Sequence, residues 1–163
     1  MEFELTTDDF IAITDQELLD LLTQVYVDGG YTTPEEAVTL FAPASVRKRG
    51  VLIGAREKQH ATLAGMIIVV PADSPARKLA QNNEAEIHLL GVKPAYQRQG
   101  LGRMLVEAAI ENAKHSGYSK IILWTQSSMA VAQKIYADMG FIQFDIFEKN
   151  GRTFKVYEKY LGV

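Results

Sequence analysis

Apolar residues recur at intervals of three and four in three stretches, each of which predicts an amphipathic helix. The stripes are Leu18, Leu21, Leu22 and Val25, then Leu105, Val106, Ala109, Ile110 and Ala113, then Val131, Ala132, Ile135, Tyr136 and Met139. The punctuation agrees with the stripes. Thr14 and Glu17 form a capping box ahead of the first, Gly29-Gly30 follows it, and Gly117 and Gly140 supply left-handed stops after the other two. A further helix opens with Thr33 as N-cap, Pro34 at the first helical position and Glu36 closing the box. The remaining apolar residues fall in short, branched runs that predict strands at 3–5, 51–55, 63–70, 84–92 and 121–124. The alternating segment 141–147 and the run 153–157 form a hairpin across Asn150-Gly151, and a polar turn at 57–60 joins another pair. Residues 71–83 are polar and carry Pro71 and Pro75, which predicts a mobile loop just before the central strand.

The chain is organised around residues 84–117. A buried strand ends at Pro94 and delivers the run Gln97-Arg98-Gln99-Gly100-Leu101-Gly102 to the start of a helix. The first amides of a helix lack intrahelical acceptors and carry the positive end of its dipole, and glycine lets an anion come close to the backbone. Such a turn can hold phosphate, or it can serve only as a tight connection. Strand alternation puts Glu84, Glu86 and His88 on one face, and three ionisable groups on a central strand need either a function or local hydrogen-bond partners.

With 163 residues the chain forms one domain, 1–163, large enough to bury a core without cross-links. The absence of cysteine excludes disulfides, zinc-thiolate sites and a cysteinyl acyl-enzyme. His60, His88 and His115 are scattered, so no metal site is expected. The N-terminal Met1-Glu2-Phe3-Glu4 lacks a basic leader and no apolar run is long enough to span a bilayer, so a cytoplasmic protein without membrane partners is expected. Net charge is −3, but residues 1–46 hold ten acidic residues and no Lys or Arg, whereas 47–163 hold the other ten and all seventeen basic ones. A basic C-terminal part suits a polyphosphate, and an acidic N-terminal part suits a cationic ligand unless its carboxylates serve as caps. Basic clusters interleaved with aromatics are lacking, which speaks against nucleic acid. A P-loop is excluded because Gly-Lys-Ser/Thr is missing, and a Rossmann turn because Leu105 stands at the third glycine position.

Gln97, Gly100 and Gly102 match Q/R-x-x-G-x-G/A, and with Ala85-Glu86-Ile87 upstream and Tyr136-Ala137-Asp138-Met139-Gly140-Phe141 downstream the chain resembles the GNAT superfamily of N-acetyltransferases over residues 84–141. The resemblance implies an α/β fold with a mixed, mostly antiparallel twisted sheet and about four flanking helices. It implies acetyl-CoA as co-substrate, held by the backbone of Arg98, Gln99, Gly100, Leu101, Gly102 and Arg103, with Leu90, Gly91 and Val92 pairing to the pantetheine arm. The Arg98 and Arg103 side chains add charge or are simply solvated, and Arg103 could pair with Glu107. Glu86 takes the position of a glutamate base, with Glu84 and His88 as substitutes, and Tyr136 that of the acid protonating the leaving thiolate. Tyr136 also lies on an apolar stripe, where it could be core. Many family members carry asparagine where this chain has Met129, so Ser127 or Ser128 would replace that cofactor contact. The expected reaction is direct transfer, in a ternary complex, to a primary amine, read as a small cationic molecule from the acidic N-terminal part. Alternatives are a non-catalytic CoA-binding regulator and an enzyme acting on protein N-termini or lysines. A homodimer is compatible with the sequence.

Overall fold

A computed structural model describes residues 2–7 and 12–162; Met1 of the N-terminal stretch and Asp8 and Asp9 of the acidic block lie outside them. Seven strands form one sheet in the order β1-β2-β3-β4-β5-β7-β6. They are β1 (Phe3–Thr7), β2 (Val51–Glu57), β3 (Leu63–Val70), β4 (Glu84–Val92), β5 (Lys120–Gln126), β6 (Ile142–Lys149) and β7 (Arg152–Tyr160). Every neighbouring pair is antiparallel except β4 and β5. That parallel pairing runs only from Glu84 opposite Lys120 to Ile87 opposite Leu123, so the two strands part company at His88. The split is the structural event on which the site depends.

Among the described residues there are five α-helices: α1 (Asp15–Leu22), α2 (Pro34–Leu40), α3 (Pro43–Arg47), α4 (Leu101–His115) and α5 (Ala130–Asp138). The capping boxes at Thr14 and Thr33 are both formed. The first helix does not stop at Leu22 but continues as a π-helical turn, Thr23–Val27, and the short α3 is an element the apolar spacing did not reveal. α4 and α5 cover one face of the sheet, where Leu101, Leu105, Val106, Ala109 and Ile110 meet Ala64, Ile67, Ala85, Ile87 and Leu123. α1, α3 and Phe41 cover the other through Leu18, Leu21, Leu22 and Val46 against Leu52, Met66, Ile68 and Val70. Each fully buried leucine contributes ~1.5–3 kcal/mol, so the two faces hold the central strands firmly. β6 forms one edge and leaves Ile142, Phe144 and Ile146 exposed.

Two expectations change. The 71–83 loop is fastened rather than loose: the Ala72 amide donates to the Tyr118 hydroxyl, Ser74 Oγ donates to the Arg49 carbonyl, and Glu86 binds three amides further along. Arg103 pairs not with Glu107 but with Asp138 of α5, at 3.0 Å.

Candidate active site

At the start of α4 the chain turns through two left-handed residues, Arg98 at φ 63° and the N-cap Gly100 at φ 79°. The helix has no side-chain cap. Backbone bonding resumes only at Met104, whose amide donates to the Gly100 carbonyl. Among the described residues no oxygen accepts from the amides of Arg98, Gln99, Gly100, Leu101, Gly102 or Arg103. Six consecutive N–H groups at a positive helix end are thus uncommitted, and such an end is able to bind an anion. Gly102 also lets α4 sit close to α5, because a Cβ there would come within 2.8 Å of Ile135 Cδ1 and make that side chain shift.

The strand leading into this turn carries a bulge. Met66 lies opposite Gly91 and Ile68 opposite His88, so β4 spends one residue more than β3, and Leu89 takes φ 53° to do it. The bulge keeps His88 and Leu89 toward the α1 face and returns Leu90 to the α4 face. Beyond it, the Leu90 carbonyl accepts from the Tyr26 hydroxyl at 2.8 Å and the Val92 carbonyl from Gln97 Nε2 at 3.1 Å. The protein's own side chains thus engage two of the carbonyls expected to pair with the pantetheine arm.

Where β4 and β5 separate, a cavity of about 1130 Å³ opens, and Leu90, Tyr136, Trp124, Met129 and His88 are in its wall. Tyr136 is almost fully buried, its ring against Phe141 and Tyr157, yet its hydroxyl makes no hydrogen bond among the described residues. Burial, then the neighbouring Tyr26 and Tyr157, raise its pKa well above the ordinary phenol value, so it stays protonated. Ser128 is exposed at the start of α5 and outside the cavity wall. Trp124, the last residue of the predicted strand 121–124, stands edge-on to His88 with ring centres 5.0 Å apart.

The three ionisable groups of β4 separate into different tasks. Glu84 accepts from the Gln81 amide and pairs with Lys120 at 3.3 Å. Glu86 is fully buried and does not line the cavity. Its Oε1 accepts from the amides of Lys78 and Ala80, both at 2.7 Å, and of Leu79, while Oε2 lies 2.7 Å from His88 Nε2. Burial alone would raise its pKa, but the His88 bond and the three amides outweigh it and hold the carboxyl below the usual value. Glu86 therefore clamps a loop and orients a histidine. On the opposite edge of the ring, Arg49 Nη1 is 3.4 Å from His88 Nδ1. A guanidinium can only donate, so Nδ1 carries the lone pair and Nε2 carries the proton given to Glu86. Burial lowers the pKa of His88, the Glu86 bond opposes this, and the charges of Arg49 and Lys78 lower it further, leaving a neutral imidazole. Arg49, Lys78 and Tyr26 had no motif to announce them; only folding brings them to the strand.

Among the described residues no group of three or more His, Asp or Glu is placed to hold a metal, and no helix is long and apolar enough to cross a membrane. The chain is 30% identical over 95 residues to N-acetyltransferase family 8 member 3 of Rattus norvegicus, a stretch covering 58% of this chain and 38% of that protein, so it spans well under half of the relative's length. Its fold is similar to a GNAT-family acetyltransferase from Staphylococcus aureus Mu50, with TM-score 0.77 and 16% identity over 98% of this chain and 99% of that one. It is also similar to a Bacillus subtilis acetyltransferase in complex with CoA, with TM-score 0.71 and 22% identity over 98% and 99%. The sequence model of the Acetyltransferase (GNAT) family matches residues 16–141, three quarters of a chain with the split sheet and glycine turn described above, and the chain belongs to that family.

Proposed function

We propose that the protein transfers an acetyl group from acetyl-CoA to a primary amine by direct attack in a ternary complex. The observation that carries this reading is the run of uncommitted amides at residues 98–103 at the N-terminus of α4, the helix that follows the split strand β4. Those amides would hold the pyrophosphate, with Arg98 and Arg103 adding charge at the rim. Acetyl-CoA supplies the activated acyl group. His88, held by Glu86 with Nδ1 unprotonated, takes a proton from the acceptor ammonium, which displaces the long 3.4 Å contact of Arg49 from that lone pair, so that the amine nitrogen can attack. Tyr136, whose hydroxyl has no competing partner among the described residues, gives its proton to sulfur as the C–S bond breaks and is reprotonated by the second proton leaving the amide nitrogen. The base is thus His88 with Glu86 as its positioning residue, rather than Glu86 itself.

Thiol release from acetyl-CoA with a panel of amines, run beside CoA titration calorimetry, tests the function. Binding with release supports it. Binding without release from any amine reduces the protein to a CoA-binding regulator, and neither result at millimolar CoA overturns the reading.

A further inference from the structure

The cavity is cationic, and this bears on the acceptor. Three carboxylates of the acidic N-terminal part are already paired: Glu17 binds Arg56, Asp15 binds Arg47, and Glu36 caps α2 and takes both Arg152 nitrogens at 3.1 Å. Of these only Glu36 reaches the cavity wall, and it is already neutralised. Lys48, Arg49, Lys78 and Lys149 line the same space and have no ion-pair partner among the described residues. These cations are not the phosphate cradle, because no residue of 91–103 lines the cavity. A purely cationic acceptor would meet repulsion here and no matching charge.

Resting on the acetyl-transfer reading, we infer that the acceptor is an α-amino carboxylate with an apolar body, its carboxylate bound by Arg49 and its amine facing His88. Arg49 is partly buried and spends its donors on only two contacts, the Leu40 carbonyl at 2.9 Å and His88 Nδ1 at 3.4 Å. A planar guanidinium offers five donors, which leaves an edge for a carboxylate. Because Arg49 touches the nitrogen that takes the proton, a ligand serving both must carry its amine and its anion very close together. An amino group and a carboxylate on one carbon satisfy that, and Lys78, whose charge also acts on His88, lies on the same side. Trp124, Phe41, Tyr31 and Phe154 in the wall suit an aromatic or large aliphatic side chain.

The test uses matched sets built on phenylalanine, leucine and methionine: the amino acid, its carboxamide and the decarboxylated amine, scored by thiol release with wild type and Arg49→Met. The expected result is kcat/KM ~10–100-fold higher for the carboxylate member, the range of one desolvated charge-assisted contact. Arg49→Met should collapse this ratio toward one and Arg49→Lys should restore part of it. Any effect of Arg49 on His88 cancels in the ratio. Equal or faster transfer to the carboxamide or decarboxylated members overturns the inference while acetyl transfer stands. A ratio unchanged in Arg49→Met overturns the role given to Arg49. No release with any set, in protein that binds CoA, counts against both the inference and the enzyme reading.

Discussion

Replacing Glu86 by Gln separates a carboxylate that reacts from one that positions. The substitution keeps volume but leaves one oxygen where there were two. If that oxygen keeps the three amides of Lys78, Leu79 and Ala80, the new NH₂ group faces the proton on His88 Nε2. The imidazole escapes only by moving its proton to Nδ1, where it meets the Arg49 guanidinium. One charge-assisted bond is lost and two buried donors face one another, a cost of ~2–4 kcal/mol. In a chain of 163 residues this lowers Tm by about 5–15 °C. The wrong tautomer leaves no lone pair for the ammonium, so kcat/KM should fall ~10²–10⁴-fold. The folded Glu86 pKa lies below its unfolded value of 4.5, so its stabilisation is present above pH 4.5 and is lost as pH falls through the depressed value. The Tm difference between wild type and Glu86→Gln should therefore shrink as pH drops below that point. Calorimetry across pH with parallel kinetics reads both quantities. A variant with wild-type Tm and turnover would refute the clamp and the dyad together.

Other expectations follow from the same geometry. His88 is neutral and depressed, so the acid limb of kcat/KM should lie below the ordinary value of 6.5, and Arg49→Met should move it upward in a pH–rate profile. Because the folded His88 resists protonation, His88→Gln should also flatten the loss of stability that begins as pH falls below 6.5, seen by thermal melts. Tyr136→Phe removes a hydroxyl with no partner among the described residues, so Tm should stay within ~1 °C while single-turnover thiol release slows ~10–10³-fold. Gly100→Ala forces a side chain into φ 79° and should cost ~1–2 kcal/mol in urea unfolding, with weaker CoA binding by calorimetry.

The parts of this protein written in local chemistry were readable from sequence. Both capping boxes, the Asn150-Gly151 hairpin, the α4 stripe and the glycine turn depend on neighbours within a few residues, and each formed where its residues stand. The shared face of Glu84, Glu86 and His88 was also legible from alternation. Their division of labour was not, because it is decided by a loop that folds back to place three amides on Glu86 and by Arg49 arriving from beyond α3. The bulge at Leu89 was hidden for a similar reason, since its left-handed φ falls on a residue type that gives no warning. Charge counted over whole segments did not show which charges reach the cavity: Asp15, Glu17 and Glu36 are taken up by caps and ion pairs, and the charged residues lining the cavity are mostly positive.

The central claim is that the amides of residues 98–103 grip a diphosphate and so place a thioester beside His88 and Tyr136. Amide chemical-shift mapping of ¹⁵N-labelled protein titrated with CoA tests it most directly. The account predicts saturable shifts concentrated at Arg98, Gln99, Gly100, Leu101, Gly102 and Arg103, reproduced in part by 3′,5′-ADP or pyrophosphate. Saturable CoA binding that leaves those six amides unmoved, or no binding at millimolar CoA, would contradict it.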